Sequence, residues 1–199
     1  MTGSNSIQAH TGTERAGKRS KLVTAAVDQI YRQGVARTTL ADIAEAAGVP
    51  LGNVYYYFKT KDALIEAVVR AHVDQLRSEL ATLAHRHRTP HTRLKGLVES
   101  LGNRQDAIAV YGCLYGSLSL ELAKGTQGSD PWAAALLEET LTWVETQFRE
   151  MGRRDASHLA VEFVAAYQGA AVLCSALGKP KVMGSLMRRL LRWVEEQAV

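Results

Sequence analysis

Tyrosine and lysine side chains cluster in residues 38–61, which read TTLADIAEAAGVPLGNVYYYFKTK. Three consecutive tyrosines at residues 55–57 are followed closely by Lys59 and Lys61. On a helix at most one or two of these tyrosines can face a core, so the remainder present their hydroxyl groups to a partner. Phenol and ammonium groups can donate hydrogen bonds to phosphates and base edges. The pattern therefore indicates a contact with nucleic acid.

The residues just before the tyrosines favour the same contact. Gly52 and Asn53 both lower helix propensity at the start of the segment. They also leave that helix end slim and polar, so backbone amides can approach a phosphate. A helix that served only as core would have little use for either residue.

The preceding residues predict how this surface is positioned. Thr39 can cap a helix that begins at Leu40, and Asp42 can reach back to the free amides of its first turn. Gly48 can adopt the left-handed conformation that ends this helix, and Pro50 can open a second one. Two helices joined by a turn of about three or four residues form a helix-turn-helix, whose second helix enters the major groove of DNA.

This stretch resembles the DNA-binding segment of the TetR (tetracycline repressor) family, and the resemblance in helix number and layout extends over nearly the whole chain. The alternative is an ordinary pair of helices with the tyrosines in the core. The matching residues are Thr39, Leu40, Ile43, Ala44, Ala47, Gly48, Val49, Gly52, Tyr55, Tyr57, Phe58, Lys61, Asp62 and Leu64.

The resemblance implies roles for individual side chains. Thr39, Tyr55 and Lys61 would contact phosphates. The residues that would lie nearest to the bases are Leu51, Gly52, Asn53 and Tyr56. It also implies a homodimer and a palindromic operator.

The distribution of charge supports a local nucleic-acid site. The chain has a net charge of +4. Residues 1–61 hold eight Lys/Arg and four Asp/Glu, whereas residues 62–199 hold sixteen of each, so the excess lies entirely in the first segment. This is typical of a small nucleic-acid-binding module attached to an electrically balanced body. The basic cluster Lys18, Arg19 and Lys21 is either a solvated helix end or a phosphate-contacting arm.

We predict an all-α fold of about nine helices, one of which covers residues 110–123. Residues 1–17 are expected to form a disordered tail, residues 18–64 the helix-turn-helix DNA-binding domain, and residues 65–199 a ligand-binding and dimerisation domain. We find no apolar run near the roughly 18 residues that a membrane span needs, and no signal-peptide pattern, so we expect a cytoplasmic protein.

The expected ligand pocket lies among the middle helices. His72 falls on an apolar stripe and is either a core histidine or a polar anchor for a ligand. The helix predicted over residues 131–151 has a core stripe made of Leu137, Leu141, Val144, Phe148 and Met151. Trp132, Leu136 and Trp143 lie away from this stripe and need either a cavity or a neighbouring helix. The candidate pocket residues are His72, Leu101, Cys113, Ser117, Trp132, Trp143 and Tyr167.

The last two predicted helices, about residues 157–177 and 181–197, carry more apolar surface than one subunit can bury. The first of them is apolar nearly all round, which in a soluble chain requires burial on both sides. We therefore predict a homodimer with a four-helix interface.

These patterns favour a transcriptional regulator, most simply a repressor that a small, largely apolar ligand releases from DNA. No nucleophile, base and orienting acid recur at suggestive spacing, so we expect no enzyme activity and no cofactor. Histidines 85, 87 and 91 could suggest a metal, but Pro90 breaks the helix that would align them, so we predict none. The alternative regulator is a redox sensor using Cys113 or Cys174, although both lie in apolar runs that favour inert thiols.

Overall fold

The computed structural model describes residues 5–125 and 131–198, with side chains described from Gly17 onward. Within these residues the chain forms ten α-helices and no strand, which confirms the all-α prediction. The helices are α1 (Asn5–Gln33), α2 (Leu40–Ala47), α3 (Leu51–Tyr57), α4 (Lys61–Arg86), α5 (Pro90–Gly102), α6 (Gln105–Tyr111), α7 (Leu114–Gly125), α8 (Pro131–Glu150), α9 (Ala156–Leu177) and α10 (Pro180–Glu196).

The described residues form two compact units, one ending at Ala71 and the other beginning at His72. Helix α4 contributes residues to both units. The division between the two units lies seven residues after the predicted boundary at residue 64, since Ile65 and Val68 of α4 are buried residues of the first unit. The assignment of DNA binding and ligand binding to separate domains stays a prediction.

In the first unit α1 packs on α2, and α2 packs on α3. Its buried residues include Leu22 and Ile30 of α1 and Ile43 of α2. Helix α1 begins at Asn5, whereas residues 1–17 are predicted to be a disordered tail. Residues 5–17 contain no proline, so the backbone can continue the helix backward from the apolar segment. Residues 1–4 lie outside the described part of the chain.

Glycines end the first two helices, and the left-handed conformation predicted for Gly48 is confirmed. Gly34 has φ of 83° after the end of α1, and Gly48 has φ of 62° after the end of α2. The Ala63 amide donates to the Thr60 hydroxyl at 3.1 Å, so Thr60 caps α4.

The second unit is built around α9, which packs against α6, α8 and α10. Phe148 of α8 and Phe163 of α9 are among its largest fully buried side chains. Among the described helices, α9 is long and apolar enough to cross a membrane by length and composition, with a mean hydropathy of 1.5, so the expectation that no such run exists is wrong. The run contains only one charged residue, Glu162, and its many alanines hide its overall hydropathy from a search for large apolar side chains.

Helix α8 buries only part of the predicted stripe. Val144 and Phe148, two members of that stripe, are fully buried, and so is Leu136, which the sequence placed away from it. Leu137 and Leu141, which the spacing assigned to the core, are only partly buried. The prediction fails at Leu137 and Leu141 because the adjacent face of α8, which carries Leu136, is also apolar. The position of the neighbouring helices decides which of the two faces is buried.

Gly112 divides a segment that the sequence predicts as one helix over residues 110–123. The backbone of Gly112 has φ of 81° and ψ of −177°, so α6 ends at Tyr111 and α7 begins at Leu114. A side chain is strained at this φ, and an added Cβ would lie 2.9 Å from the Ser117 hydroxyl oxygen. The extra helix therefore depends on a glycine that an apolar pattern cannot reveal.

We expect Gly112→Ala to lower the free energy of unfolding by about 1–3 kcal/mol, because alanine must adopt a strained φ beside Ser117. Urea denaturation followed by circular dichroism measures the change. Gly102→Ala is the matched control, since its added Cβ would lie at ordinary contact distance, 3.6 Å, from Met187. Equal losses in the two variants would contradict this account.

Candidate nucleic-acid interface and ligand cavity

Helix α3 exposes most of its side chains. Val54 is its one buried residue. Leu51, Tyr55 and Tyr56 are exposed by 42%, 50% and 57%, and Asn53 is exposed as well. Tyr57 is partly buried, so the three tyrosines divide between core and solvent as expected. The face of α3 that carries the predicted base-reading residues is thus open to a partner.

The first turn of α3 is slim. Nothing lies within 4 Å of a Cβ added to Gly52. The helix is preceded by Pro50, whose ring carries no N–H, and no side chain caps its first amides. A backbone approach by a phosphate or a base edge meets no protein atom at this position.

Helix α2 and a single aromatic ring hold α3 in place. Thr39 and Asp42 form the predicted capping box, with the Thr39 amide donating to Asp42 at 2.8 Å and the Asp42 amide donating to the Thr39 hydroxyl at 3.1 Å. The first of these bonds lowers the pKa of the Asp42 carboxyl, so the cap stays ionised at neutral pH. Phe58, directly after α3, is buried, and the Arg19 guanidinium lies 5.0 Å from its ring centroid.

The cationic side chains near α3 differ in their contacts with the rest of the protein. Lys59 is exposed, and Arg19 is exposed above Phe58. The Lys61 ammonium donates to the Val35 carbonyl oxygen at 2.6 Å, so it also anchors the loop before α2. The contact between Lys61 and Val35 could not be predicted from local sequence, because the two residues are 26 positions apart.

The second unit contains a cavity of about 290 Å³, here termed the α4–α9 cavity. Residues of α4, α5, α7, α8 and α9 line it, among them the predicted pocket residues Leu101 and Tyr167. Helix α4 supplies six of its lining residues: Leu76, Glu79, Leu80, Thr82, Leu83 and Arg86.

A wider cleft of about 700 Å³, the α7–α9 cleft, lies beside this cavity. It contains the predicted pocket residues Cys113 and Ser117. Leu137 and Gln168 line both spaces. The Tyr167 hydroxyl donates to the Cys113 sulfur at 3.5 Å, so this pair lies between the cavity and the cleft.

The other predicted pocket residues line neither space. Trp143 is partly buried and packs against the core, and Trp132 is partly buried near the start of α8. His72 is buried, with its ring edge-on to Tyr115 at a centroid distance of 5.8 Å. Burial lowers the pKa of His72, so the imidazole is neutral at pH 7. This placement fits a core histidine better than a ligand anchor, but the Nε2 atom of His72 is buried without a hydrogen-bond partner among the described residues, so the satisfied hydrogen bond expected of a core histidine is missing.

An ion pair at the α4–α9 cavity was not predicted from the sequence. An Arg104 guanidinium N–H donates to the Glu79 carboxylate at 2.7 Å, and both residues line the cavity together with Tyr115. Glu79 lies on α4 and Arg104 follows α5, so no local spacing signals the pair.

Comparison with known proteins places this geometry in a family. Residues 22–68 match the family model described as bacterial regulatory proteins, tetR family. The chain is 46% identical over 59 residues to the regulator TtgR of Pseudomonas putida, covering 30% of this chain and 28% of TtgR. It is 31% identical over 146 residues to the regulator BetI of Cronobacter sakazakii, covering 73% of this chain and 65% of BetI.

The chain belongs to the TetR family. Its fold is that of the TetR-family regulator SCO4454 from Streptomyces coelicolor, with a TM-score of 0.78 at 17% identity over 92% of this chain and 97% of that one. The chain covers less than two thirds of the length of TtgR and of BetI. The match to the family model lies in residues 22–68, the segment that holds α2 and α3.

The structure also bears on the possible metal site and on the two cysteines. Among the described residues of this TetR-family chain, no group of three or more His, Cys, Asp or Glu side chains is arranged to hold a metal ion. Cys113 and Cys174 are free, buried thiols.

We expect the free energy of unfolding to fall as the pH drops below about 6.5, partly because of His72. The folded-state pKa of His72 is lowered, so between that pKa and the ordinary value the unfolded chain binds a proton that the folded chain excludes. His72→Phe removes this group and should make the profile flatter. Urea denaturation at several pH values between about 5 and 8 measures it.

The exposed His158 supplies the control for this prediction. His158→Gln should leave the acid side of the profile as steep as in the unmodified protein. A profile that His72→Phe does not change would contradict the role assigned to the buried imidazole.

Proposed function

We propose that this TetR-family regulator is a homodimeric repressor that binds a palindromic DNA operator through α3 and leaves it when a small, largely apolar ligand binds. The exposed side of α3 is the observation that carries the proposal. The side chains of Leu51, Asn53 and Tyr56 are exposed, whereas the side chain of Val54 is buried and anchors α3 in the first unit. A short helix with this division of surface suits insertion into a major groove.

The expected contacts sort into two classes. Asn53 can pair with the edge of an adenine, and Tyr56 can contact bases through its ring or hydroxyl. Thr39, Tyr55 and Lys61 would contact phosphates, with Lys59 adding charge nearby. Two copies of α3 separated by about 34–36 Å, one turn of DNA, would read the two halves of the operator.

Helix α9 supports the dimer. Apart from His158 and Glu162, its large exposed side chains are apolar: Val161, Val172, Leu173 and Leu177 are each about half exposed or more. Exposed apolar surface of this extent is typical of an interface. A second copy would cover this apolar surface by two-fold pairing. The same pairing would explain why a cytoplasmic regulator contains a helix long and apolar enough to cross a membrane.

Helix α10 exposes less apolar surface than the sequence predicts. Its large apolar side chains, such as Met183 and Leu190, are buried within the subunit. Its exposed side is charged and includes Arg188, Arg189 and Arg192. In the proposed dimer α9 therefore forms the apolar centre and α10 the charged rim.

The α4–α9 cavity is the proposed effector site. A ligand there contacts α4, and α4 begins at Lys61, beside the proposed DNA contacts. A ligand that prefers one arrangement of α4 shifts the dimer toward it. A hundredfold change in operator affinity requires about 2.7 kcal/mol of differential binding. The redox alternative is less favoured, because Cys113 and Cys174 are both buried.

We expect Asn53→Ala and Tyr56→Ala to reduce discrimination between operator and random DNA by about tenfold, since each lost base contact costs about 1–3 kcal/mol. The operator is the genomic fragment that the unmodified protein selects. Fluorescence anisotropy on this fragment and on a random duplex of equal length gives the ratio of affinities.

Lysine substitutions test the phosphate class. Lys59→Ala should weaken binding to both duplexes alike and reduce the salt slope by about one. Lys61→Ala should do the same and also loosen the loop at Val35, so Lys59 is the cleaner probe. Lys124→Ala, an exposed charge in the second unit, should change neither. Equal losses on both duplexes for Asn53→Ala and Tyr56→Ala would contradict their base-reading role.

We expect the protein to sediment as a dimer at micromolar concentration, and Val172→Glu to convert it to a monomer. Two-fold symmetry would place two charged side chains in one apolar interface. Val110→Glu, at a valine of α6 that is equally exposed, should leave the dimer intact. A folded monomer in the unmodified protein would overturn the dimer.

A further inference from the structure

We infer that the α4–α9 cavity binds an amphipathic anion, an apolar chain or ring system that carries one carboxylate, with the carboxylate on Arg104. This inference rests on the proposed function only in assigning the cavity as the effector site. The ligand class itself is argued from the lining charges and from the size of the space.

Most of the cavity wall suits an apolar body. Leu76, Leu80, Leu97 and Leu101 line it from α4 and α5, and Phe163 lines it from α9. An apolar cavity of about 150 Å³ holds benzene, so a space of 290 Å³ has room for about twelve non-hydrogen atoms. The ligand is therefore a small molecule with a compact or short-chain body.

The charged part of the wall is net positive. Arg86 and Arg104 line the cavity, and Glu79 is its one acidic lining residue among those described. Glu79 is already held by two donors: the Gln75 side-chain amide at 3.0 Å on one oxygen and Arg104 at 2.7 Å on the other. A cationic ligand would have to compete with both donors and approach two arginines.

An anionic ligand meets a better-matched site. A guanidinium has five N–H donors in a planar fork, so Arg104 can bind a second carboxylate or exchange Glu79 for it. Tyr115 lies beside Arg104 at the same end of the cavity, and burial, reinforced by Glu79, raises the pKa of its phenol. The hydroxyl thus keeps its proton and can donate a second hydrogen bond to the carboxylate. Glu79 then acts as an internal competitor that a ligand must displace.

Octanoate and octanamide form a matched pair of probes, because they share shape and differ in charge. Isothermal titration of the full-length protein without DNA should show octanoate binding about tenfold or more tightly than octanamide, since hydrogen bonds to charged groups are the stronger ones. Rising salt should weaken octanoate binding alone, because the two side chains of the pair are partly exposed and screened.

Three variants separate the charged site from general effects on the fold. Arg104→Gln should abolish the preference for octanoate and leave octanamide binding unchanged, whereas Glu79→Gln should strengthen octanoate binding severalfold. Arg77→Gln is the matched control, because it breaks a similar ion pair, with Glu139, that lies outside the cavity lining. Thermal unfolding without ligand shows whether each variant is folded.

Equal affinity for octanamide and octanoate in the unmodified protein would overturn the inference. So would an octanoate preference that survives Arg104→Gln in a folded variant, or weaker octanoate binding in Glu79→Gln. Release of the selected operator fragment is measured separately. Octanoate that binds through Arg104 without releasing DNA supports the ligand class and contradicts the proposed effector role of the cavity.

Discussion

The proposed activity depends on a short helix that cannot stabilise itself. Helix α3 has seven residues and buries only Val54, whereas isolated helices shorter than about 12–15 residues are marginal in water. Its position is therefore imposed from outside, by the turn after Gly48, by the buried ring of Phe58 and by α2. Because its neighbours hold it, α3 can leave its remaining surface for a partner.

This division explains why the sequence predicted the placement of α3 well. The signals that position α3 are local: the capping box of Thr39 and Asp42, the left-handed Gly48 and the cap at Thr60 each act within a few residues. Local hydrogen bonds of this kind leave a pattern in the sequence. The Lys61 contact with Val35 leaves no such pattern, because the two residues meet only after the fold has formed.

The lining of the α4–α9 cavity was predicted less completely, because the residues that form it are far apart in the sequence. Its polar end is made by Glu79, Arg104 and Tyr115, which come from separate parts of the chain. Aromatic residues drew attention in the sequence, yet Trp143 is used in packing against the core. Periodicity marks a residue as apolar on one face of a helix, but it cannot distinguish a core contact from a cavity wall. Leu137 shows this most clearly, since its spacing indicated core and it lines both spaces.

The last two helices, α9 and α10, are both rich in apolar residues but bury them to different extents. In α10 the apolar residues form one stripe, so a single subunit buries them and the charged side remains in water. In α9 apolar residues continue around the helix, and burial against α6, α8 and α10 satisfies only part of them. The unsatisfied part includes Leu173 and Val172, the latter of which also lines the α7–α9 cleft. Because the hydrophobic effect scales with the apolar area removed from water, this face favours association, whereas α10 adds charge that can select the partner and orientation.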